Sequence, residues 1–158
     1  MRLRRGCRGW WIALLAALAD RLTKLWVLRA GRPGALVPGI LNLRPVENRG
    51  MAFSMLSGQS LALTLLTAVL IAGIVGWLVA RPEGSRLARA GLWLIVGGGL
   101  GNLYDRIAAG GVTDFLEFAF VRFAVFNVAD VCICLGAAVV IAGVWIAEGK
   151  GGKKTLDN

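Results

Sequence analysis

The stretch "LALTLLTAVLIAGIVGWLVA", residues 61–80, contains no charged side chain. A helix of about 20 apolar residues is long enough to cross the hydrocarbon core of a bilayer. The run therefore predicts a membrane-spanning helix rather than the core helix of a soluble domain. The fold class follows from it: we expect an integral membrane protein.

Three more apolar blocks indicate that the chain crosses the membrane four times. Of its 158 residues, 57% are hydrophobic and 17% are charged, which is more apolar than a soluble domain of this length requires. The sequence thus predicts one all-α membrane domain, residues 1–158, with four spans. The predicted spans are residues 10–28, 61–80, 88–104 and 131–147, the outer loops are residues 29–60 and 105–130, and the basic tail, residues 149–158, is expected to be disordered.

The net charge of +9 comes from basic clusters beside the apolar blocks, at residues 2–8, 81–89 and 150–154. In a four-span topology all three clusters fall on one side, which is the positive-inside pattern and predicts cytoplasmic termini. The clusters lack the interleaved aromatic residues that single-strand binding proteins use, so we expect no nucleic-acid partner.

The first segment has a second interpretation. Basic residues 2–8, an apolar stretch at residues 11–18 and "ALA" at residues 17–19 are together typical of a cleavable signal peptide. The apolar pattern resumes at Leu22 and continues to Leu28, which favours an uncleaved span.

Most polar residues without an obvious role are predicted at the outer membrane face. Each has a simpler explanation on its own: Asp20 and Lys24 could be an i, i+4 ion pair, and Asp130 could be a helix-end acid favoured by the dipole. Asp114 has no comparable explanation. Convergence on one face therefore predicts a site, and the residues that converge are Asp20, Lys24, Asn48, Asn102, Asp105, Arg106, Asp114, Asn127 and Asp130.

The side chains present at the predicted site favour catalysis by carboxylates. The chain contains no histidine, which excludes Ser-His and Cys-His nucleophile pairs and histidine zinc sites. A dyad of Lys24 with Ser54 or Ser57 is conceivable, but neither serine has an activating context. Two carboxylates brought within hydrogen-bonding distance share one proton, the arrangement used by aspartic peptidases. Asp114 and Asp130 suit this chemistry, which needs no metal or cofactor.

Five stretches, in this order, resemble the bacterial lipoprotein signal peptidase (signal peptidase II) family of membrane aspartic peptidases. One such motif would be weak, but five spread from the first span to the last make a specific match. They are "DRLTK" (residues 20–24), "ENRGMAF" (47–53), "GGLGNLYDR" (98–106), "VTDF" (112–115) and "FNVAD" (126–130).

The resemblance implies that Asp114 and Asp130 are the catalytic residues of a bacterial inner-membrane enzyme. It implies removal of the signal peptide from diacylglyceryl-modified prolipoproteins, on the amino side of the lipidated cysteine, by a monomer in contact with membrane lipid. Residues expected to support or line the site are Asp20, Lys24, Asn48, Gly98, Asn102, Arg106, Asn127 and Ala129.

The family also has a small extracytoplasmic β-cradle and a mobile outer segment. Here the cradle would lie around residues 37–55, where "ILNLRPV" shows strand-like alternation, and the mobile segment within residues 107–122.

Two other functions remain open from the residues themselves. Intramembrane carboxylates also mark ion pathways, so a small proton-coupled transporter is an alternative. A non-catalytic assembly subunit is another, because the G-x-x-x-G spacing from Gly97 to Gly101 favours close helix packing. The first predicts acids spread across the membrane depth, and the second leaves Asp114 unexplained.

Overall fold

The structure, a computed structural model, describes residues 7–31, 33–50, 60–81 and 83–156, with backbone only for residues 150–156. Parts of the predicted cradle, together with Ser54 and Ser57, lie outside the described residues. The described residues form four helices and three strands: α1 (Trp10–Ala30), β1 (Gly34–Val37), β2 (Leu41–Asn48), α2 (Ser60–Ala80), α3 (Arg86–Ala109), β3 (Val112–Phe118) and α4 (Val128–Leu156).

Each of the four helices contains one of the four predicted spans. Among the described residues, Ser60–Ala80 and Val128–Gly149 are both long and apolar enough to cross a membrane. Helices α1 and α3 contain buried charged side chains, so their crossing of the membrane stays a prediction.

Two boundaries differ from the predicted loop at residues 105–130. Helix α3 continues to Ala109 and stops at Gly110, whose left-handed φ of 75° lets its N–H reach the carbonyl of Arg106. Helix α4 begins at Val128. The outer loop is therefore shorter than expected, and Arg106 and Asp130 are helical.

The predicted disorder of the basic tail stays a prediction, although the backbone of residues 149–156 is helical. Helix α4 runs through them to Leu156. Extending an existing helix adds one hydrogen bond for each residue fixed, so a helix can continue beyond the residues that pack against the rest of the protein.

The three strands form an antiparallel sheet in the order β1-β2-β3. The strand expected from "ILNLRPV" is confirmed for residues 41–46, which lie in β2. The mobile segment expected within residues 107–122 stays a prediction. Of that range, residues 112–118 pair with β2 along its length, from Leu41 opposite Phe118 to Asn48 opposite Val112. Asp114 consequently lies on a strand, opposite Val46.

Glycines on α3 allow its neighbours to approach closely. A Cβ on Gly97 would lie 2.6 Å from the carbonyl oxygen of Ala13 on α1, and a Cβ on Gly98 would overlap the carbonyl oxygen of Ala129 on α4. The close packing expected from the glycine spacing is therefore present, with α3 between α1 and α4.

The described arginines of two predicted basic clusters meet at one end of the helix bundle. The indole of Trp93 donates to the carbonyl of Arg8 (3.0 Å), and the guanidinium of Arg89 donates to the carbonyls of Leu78 and Arg81. The start of α1, the end of α2 and the start of α3 thus lie together, at the end opposite the aspartates.

Because the basic residues and the aspartates lie at opposite ends of the bundle, the structure predicts how the chain is oriented in the membrane. In a background with Cys7, Cys132 and Cys134 replaced by serine, a cysteine at exposed Ala35 should react with a membrane-impermeant thiol reagent in intact cells. A cysteine at exposed Glu83 should react only after permeabilisation, because basic connections stay in the cytoplasm. The opposite labelling pattern would place the aspartates in the cytoplasm.

Candidate active site

Asp114 and Asp130 open into one cavity of about 530 Å³, where α3 ends and α4 begins. Asp114 is 3% exposed, while Asp130 is half-buried in the first turn of α4. The cavity has a polar end and a larger apolar wall. Its polar side chains besides the aspartates are Asn48, Asn102 and Arg106, and its apolar side chains include Val112, Phe118, Phe123, Phe126, Val131 and Leu135.

Both oxygens of Asp114 accept hydrogen bonds from amide side chains. Asn48 Nδ2 lies 2.9 Å from Oδ2, and Asn127 Nδ2 lies 2.6 Å from Oδ1. Burial raises the pKa of Asp114 to about 6, against the opposing effect of the Asn48 hydrogen bond and with a further rise from the charge of Asp130. Asp114 therefore holds a proton at a pH where ordinary aspartates are ionised.

Asp130 is held by a reciprocal cap at the start of α4. Its N–H donates to Asn127 Oδ1 (3.0 Å), and the N–H of Asn127 donates back to Asp130 Oδ2 (3.1 Å). This is the geometry of a capping box. Asn102 Nδ2 donates to the other oxygen of Asp130 (2.8 Å). Both oxygens of Asp130 therefore accept N–H hydrogen bonds at the positive end of the α4 dipole.

Asn102 and Asn127 connect the two aspartates. Asn127 Nδ2 donates both to Asp114 and to Asn102 Oδ1 (3.1 Å), and Asn102 in turn donates to Asp130. Two carboxyl groups in one cavity, of which Asp114 is buried with a raised pKa and Asp130 lies in the first turn of α4, can act as an acid and base pair.

A buried ammonium group lies behind the pair. Lys24 is fully buried, and its Nζ contacts Asp20 Oδ2 (2.7 Å), Asp105 Oδ2 (2.8 Å) and Asn102 Oδ1 (3.2 Å). An ammonium has three N–H donors, so every donor of Lys24 has a partner.

The two acids that bind Lys24 also fix the backbone beside each aspartate. Asp20 Oδ1 accepts from the N–H of Ala129, which precedes Asp130 (2.9 Å). Asp105 Oδ2 accepts from the N–H of Thr113, which precedes Asp114 (3.2 Å). The ion cluster on α1 and α3 therefore sets the positions of α4 and β3 at the site.

The structure brings most of the predicted site residues together. Asn48, Asn102, Arg106 and Asn127 surround the aspartates, and Lys24 contacts this group. The other predicted residues lie behind the cavity: Gly98 packs against Ala129, and Asp20 contacts the site through Ala129 and Lys24.

Asp105 is the functional residue that sequence reasoning underrated. It was expected only among the converging polar residues, whereas its ion pairs are with Lys24 (2.8 Å) and with Arg21 (3.4 Å). The available signal was the i, i+3 spacing from Asn102, which places both side chains on one face of α3.

Four of the five phenylalanines between the aspartates divide into two groups. Phe115 is 2% exposed and packs in a core cluster with Val27. The rings of Phe118, Phe123 and Phe126 line the cavity, with the Phe118 centroid 5.0 Å from that of Phe126 and 5.9 Å from that of Phe123. Only the second group can contact a ligand beside the carboxylates.

Fold and site together define a class of protein: a helical membrane enzyme with paired aspartates at the mouth of an apolar cavity. Comparison with known proteins supports this class. The sequence profile of the family described as Signal peptidase (SPase) II matches residues 12–146.

Similar proteins include lipoprotein signal peptidases of Gloeobacter violaceus (40% identity, covering 89% of this chain and 83% of the relative) and Thermosynechococcus vestitus (35% identity, covering 86% and 90%). A solved structure described as a bacterial membrane enzyme superposes with a TM-score of 0.79 at 25% identity, covering 85% of each chain. The chain belongs to the signal peptidase II family and is a peptidase. The resemblance is confirmed, and the transporter alternative has no support.

The buried ion cluster gives a stability prediction. Lys24→Met keeps the side-chain length but leaves Asp20 and Asp105 without their ammonium partner, which should cost about 3–5 kcal/mol. Thermal unfolding in detergent should show a large loss. The matched control is Arg44→Met, because Arg44 pairs with Glu117 at the surface, where an ion pair contributes about 0–1 kcal/mol. Equal losses in the two variants would contradict the role given to Lys24.

Proposed function

We propose that this protein is a membrane aspartic endopeptidase that removes the signal peptide from diacylglyceryl-modified prolipoproteins, on the amino side of the lipidated cysteine. The observation that carries the proposal is the placement of Asp114 and Asp130 in one cavity, connected through Asn127 and Asn102. The names of the related lipoprotein signal peptidases support the substrate class.

The two environments assign different roles to the two carboxyl groups. Ionised Asp130 takes a proton from water as the water oxygen attacks the scissile carbonyl carbon, and protonated Asp114 gives its proton to the carbonyl oxygen. In the second step the intermediate collapses. Asp130 returns its proton to the leaving amine, the carbon–nitrogen bond breaks, and Asp114 recovers a proton as the new carboxyl forms.

The remaining polar side chains at the cavity suit a peptide backbone. Asn48 and Arg106 line the cavity beside the aspartates, and Arg106 interacts electrostatically with both of them. They would orient the scissile peptide through its carbonyl groups.

The apolar wall suits acyl chains. Phe118, Phe123, Val131 and Leu135 extend the cavity away from the carboxylates along α4. Burial of a methylene contributes about 0.8 kcal/mol, so a diacylglyceryl group offers far more binding energy than a few peptide contacts. Such remote binding energy can hold the scissile bond at the depth of Asp114 and Asp130.

The proposed setting is the bacterial inner membrane. All four helices would span it, with cytoplasmic termini and the aspartates at the extracytoplasmic face. The basic end of the bundle and the charge-free run of α2 support this placement. The enzyme would act as a monomer and without a cofactor.

Matched substrates test the proposed function. The purified protein should cleave a diacylglyceryl-modified prolipoprotein, with a mass loss equal to the signal peptide, and leave the same unmodified chain intact in the same detergent. Asp114→Asn and Asp130→Asn should each abolish cleavage, because each removes a carboxyl group through which the shared proton moves.

Two results would count against different parts of the proposal. Equal cleavage of both substrates would mean that the lipid is not recognised. Near-normal turnover by either folded asparagine variant would rule out the paired aspartate mechanism.

A pH profile tests the role given to Asp114. The protonated form is the active one, so kcat/KM should fall as pH rises through about 6, the pKa of this group. The Asn48 hydrogen bond favours the carboxylate and lowers that pKa. Asn48→Ala should therefore raise it and move the alkaline limb of the profile to higher pH.

The control for this shift is Asn42→Ala on the same strand. Asn42 is paired with Glu117 in the sheet and does not line the cavity, so the limb should stay in place. A limb that stays in place in Asn48→Ala, or moves to lower pH, would contradict the assignment of the proton to Asp114.

A further inference from the structure

A second cavity, of about 690 Å³, lies at the other end of the bundle. It is formed by the start of α1, the connection between α2 and α3, and the first turn of α3. Arg86 and Arg106 on α3 are twenty positions apart, which at 1.5 Å per residue separates the two cavities by about 30 Å. The second cavity shares no residue with the candidate active site. It is lined by Arg8, Gly9, Trp11, Ile12, Glu83, Gly84, Arg86, Arg89 and Ala90.

The charged lining is mostly basic, with three arginines and one glutamate. Arg89 is 7% exposed, and its guanidinium donates to the carbonyls of Arg81 (2.7 Å) and Leu78 (3.1 Å) at the end of α2. These hydrogen bonds hold the Arg89 side chain in place as part of the cavity wall. Arg8 and Arg86 are exposed, and within the described residues neither takes part in an ion pair.

The arginines that line the cavity outnumber its one described acid, Glu83. The first turn of α3 carries Arg86 and Arg89 and no acid. Cations at the positive end of a helix are unfavourable. Arg8, which precedes α1, adds another positive charge to the same cavity. A bound anion would offset this concentration of charge.

The position of the cavity indicates which anion is available. The charge-free run of α2 ends at Ala80, one residue before Arg81, and Trp10 and Trp11 are 56% and 55% exposed at the start of α1. Exposed tryptophans and the end of an apolar run mark the membrane–water interface. The cavity thus lies at headgroup depth, where the abundant anion is the phosphate of a phospholipid.

We propose that this cavity is a binding site for an anionic phospholipid headgroup. Arg8 and Arg86 bind the phosphate, since a guanidinium matches phosphate oxygens in a bidentate geometry. Trp11 and Ile12 on the lining contact the glycerol and the first methylenes of the acyl chains. The site rests on the membrane placement of the helices and is independent of the peptidase mechanism.

Lipid retention by the purified full-length protein tests the site. Native mass spectrometry from detergent compares phosphatidylglycerol with phosphatidylcholine carrying the same acyl chains. Phosphatidylglycerol should be retained preferentially. Removing an arginine beside an anionic lipid costs about fivefold in affinity, so Arg8→Gln with Arg86→Gln should weaken retention by about 25-fold.

The charge-matched control is Arg29→Gln with Arg122→Gln, two exposed arginines that do not line the cavity. It should retain the lipid as the unmodified protein does. The Arg8 and Arg86 double variant should keep its peptidase activity, since neither side chain touches the active site. If the double variant fails to fold, the two single variants, each with an expected loss of about fivefold, decide the matter.

Three results would contradict the proposed lipid-binding site. One is equal retention of the two lipids, and another is an equal loss in the control pair. The third is displacement of phosphatidylglycerol by inorganic phosphate at constant ionic strength, which would show a site for free phosphate instead of a lipid.

Discussion

The fully buried ammonium of Lys24 is the interaction on which the site depends. A charge can stay in the interior only if its partners are close and correctly oriented, and Lys24 finds Asp20, Asp105 and Asn102 within 3.2 Å. Each of these two acids, Asp20 and Asp105, also accepts a hydrogen bond from a backbone N–H next to a candidate catalytic aspartate. One buried cation therefore couples two helices to the strand and helix that carry Asp114 and Asp130.

This coupling requires that the helices approach closely, and glycines make the approach possible. A Cβ on Gly101 would lie 2.5 Å from Asp20 Oδ2, and one on Gly98 would overlap the carbonyl of Ala129. Carboxylate side chains are short, so a separation wider by one methyl group would break their contacts with Lys24 and with the start of α4. Gly98 supports the site in this way without lining its cavity.

The same arrangement gives two chemically identical side chains different properties. Asp114 is buried on β3, and desolvation favours its protonated form. Asp130 sits in the cap of α4, where backbone and amide N–H groups bind both of its oxygens. Such unequal environments separate an acid from a base in enzymes that use two carboxyl groups. The assignment depends on secondary structure that surrounds each residue and not on the residues themselves.

The sequence by itself determined the membrane class, the four helical segments and most of the polar site, because these depend on local patterns. The charge-free run in α2, the i, i+4 spacing of Asp20 and Lys24, and the alternation in β2 are each visible within one segment. The Asn-x-x-Asp cap could also have located the start of α4 at Val128. Tertiary structure decided what depends on distant partners. Residues 112–118 became a strand because β2, some 70 positions earlier, offered a free edge, and Asp105 became part of the ion cluster because Lys24 lies across the helix interface. The raised pKa of Asp114 belongs to this second group, since burial is a property of the folded chain and not of any sequence motif.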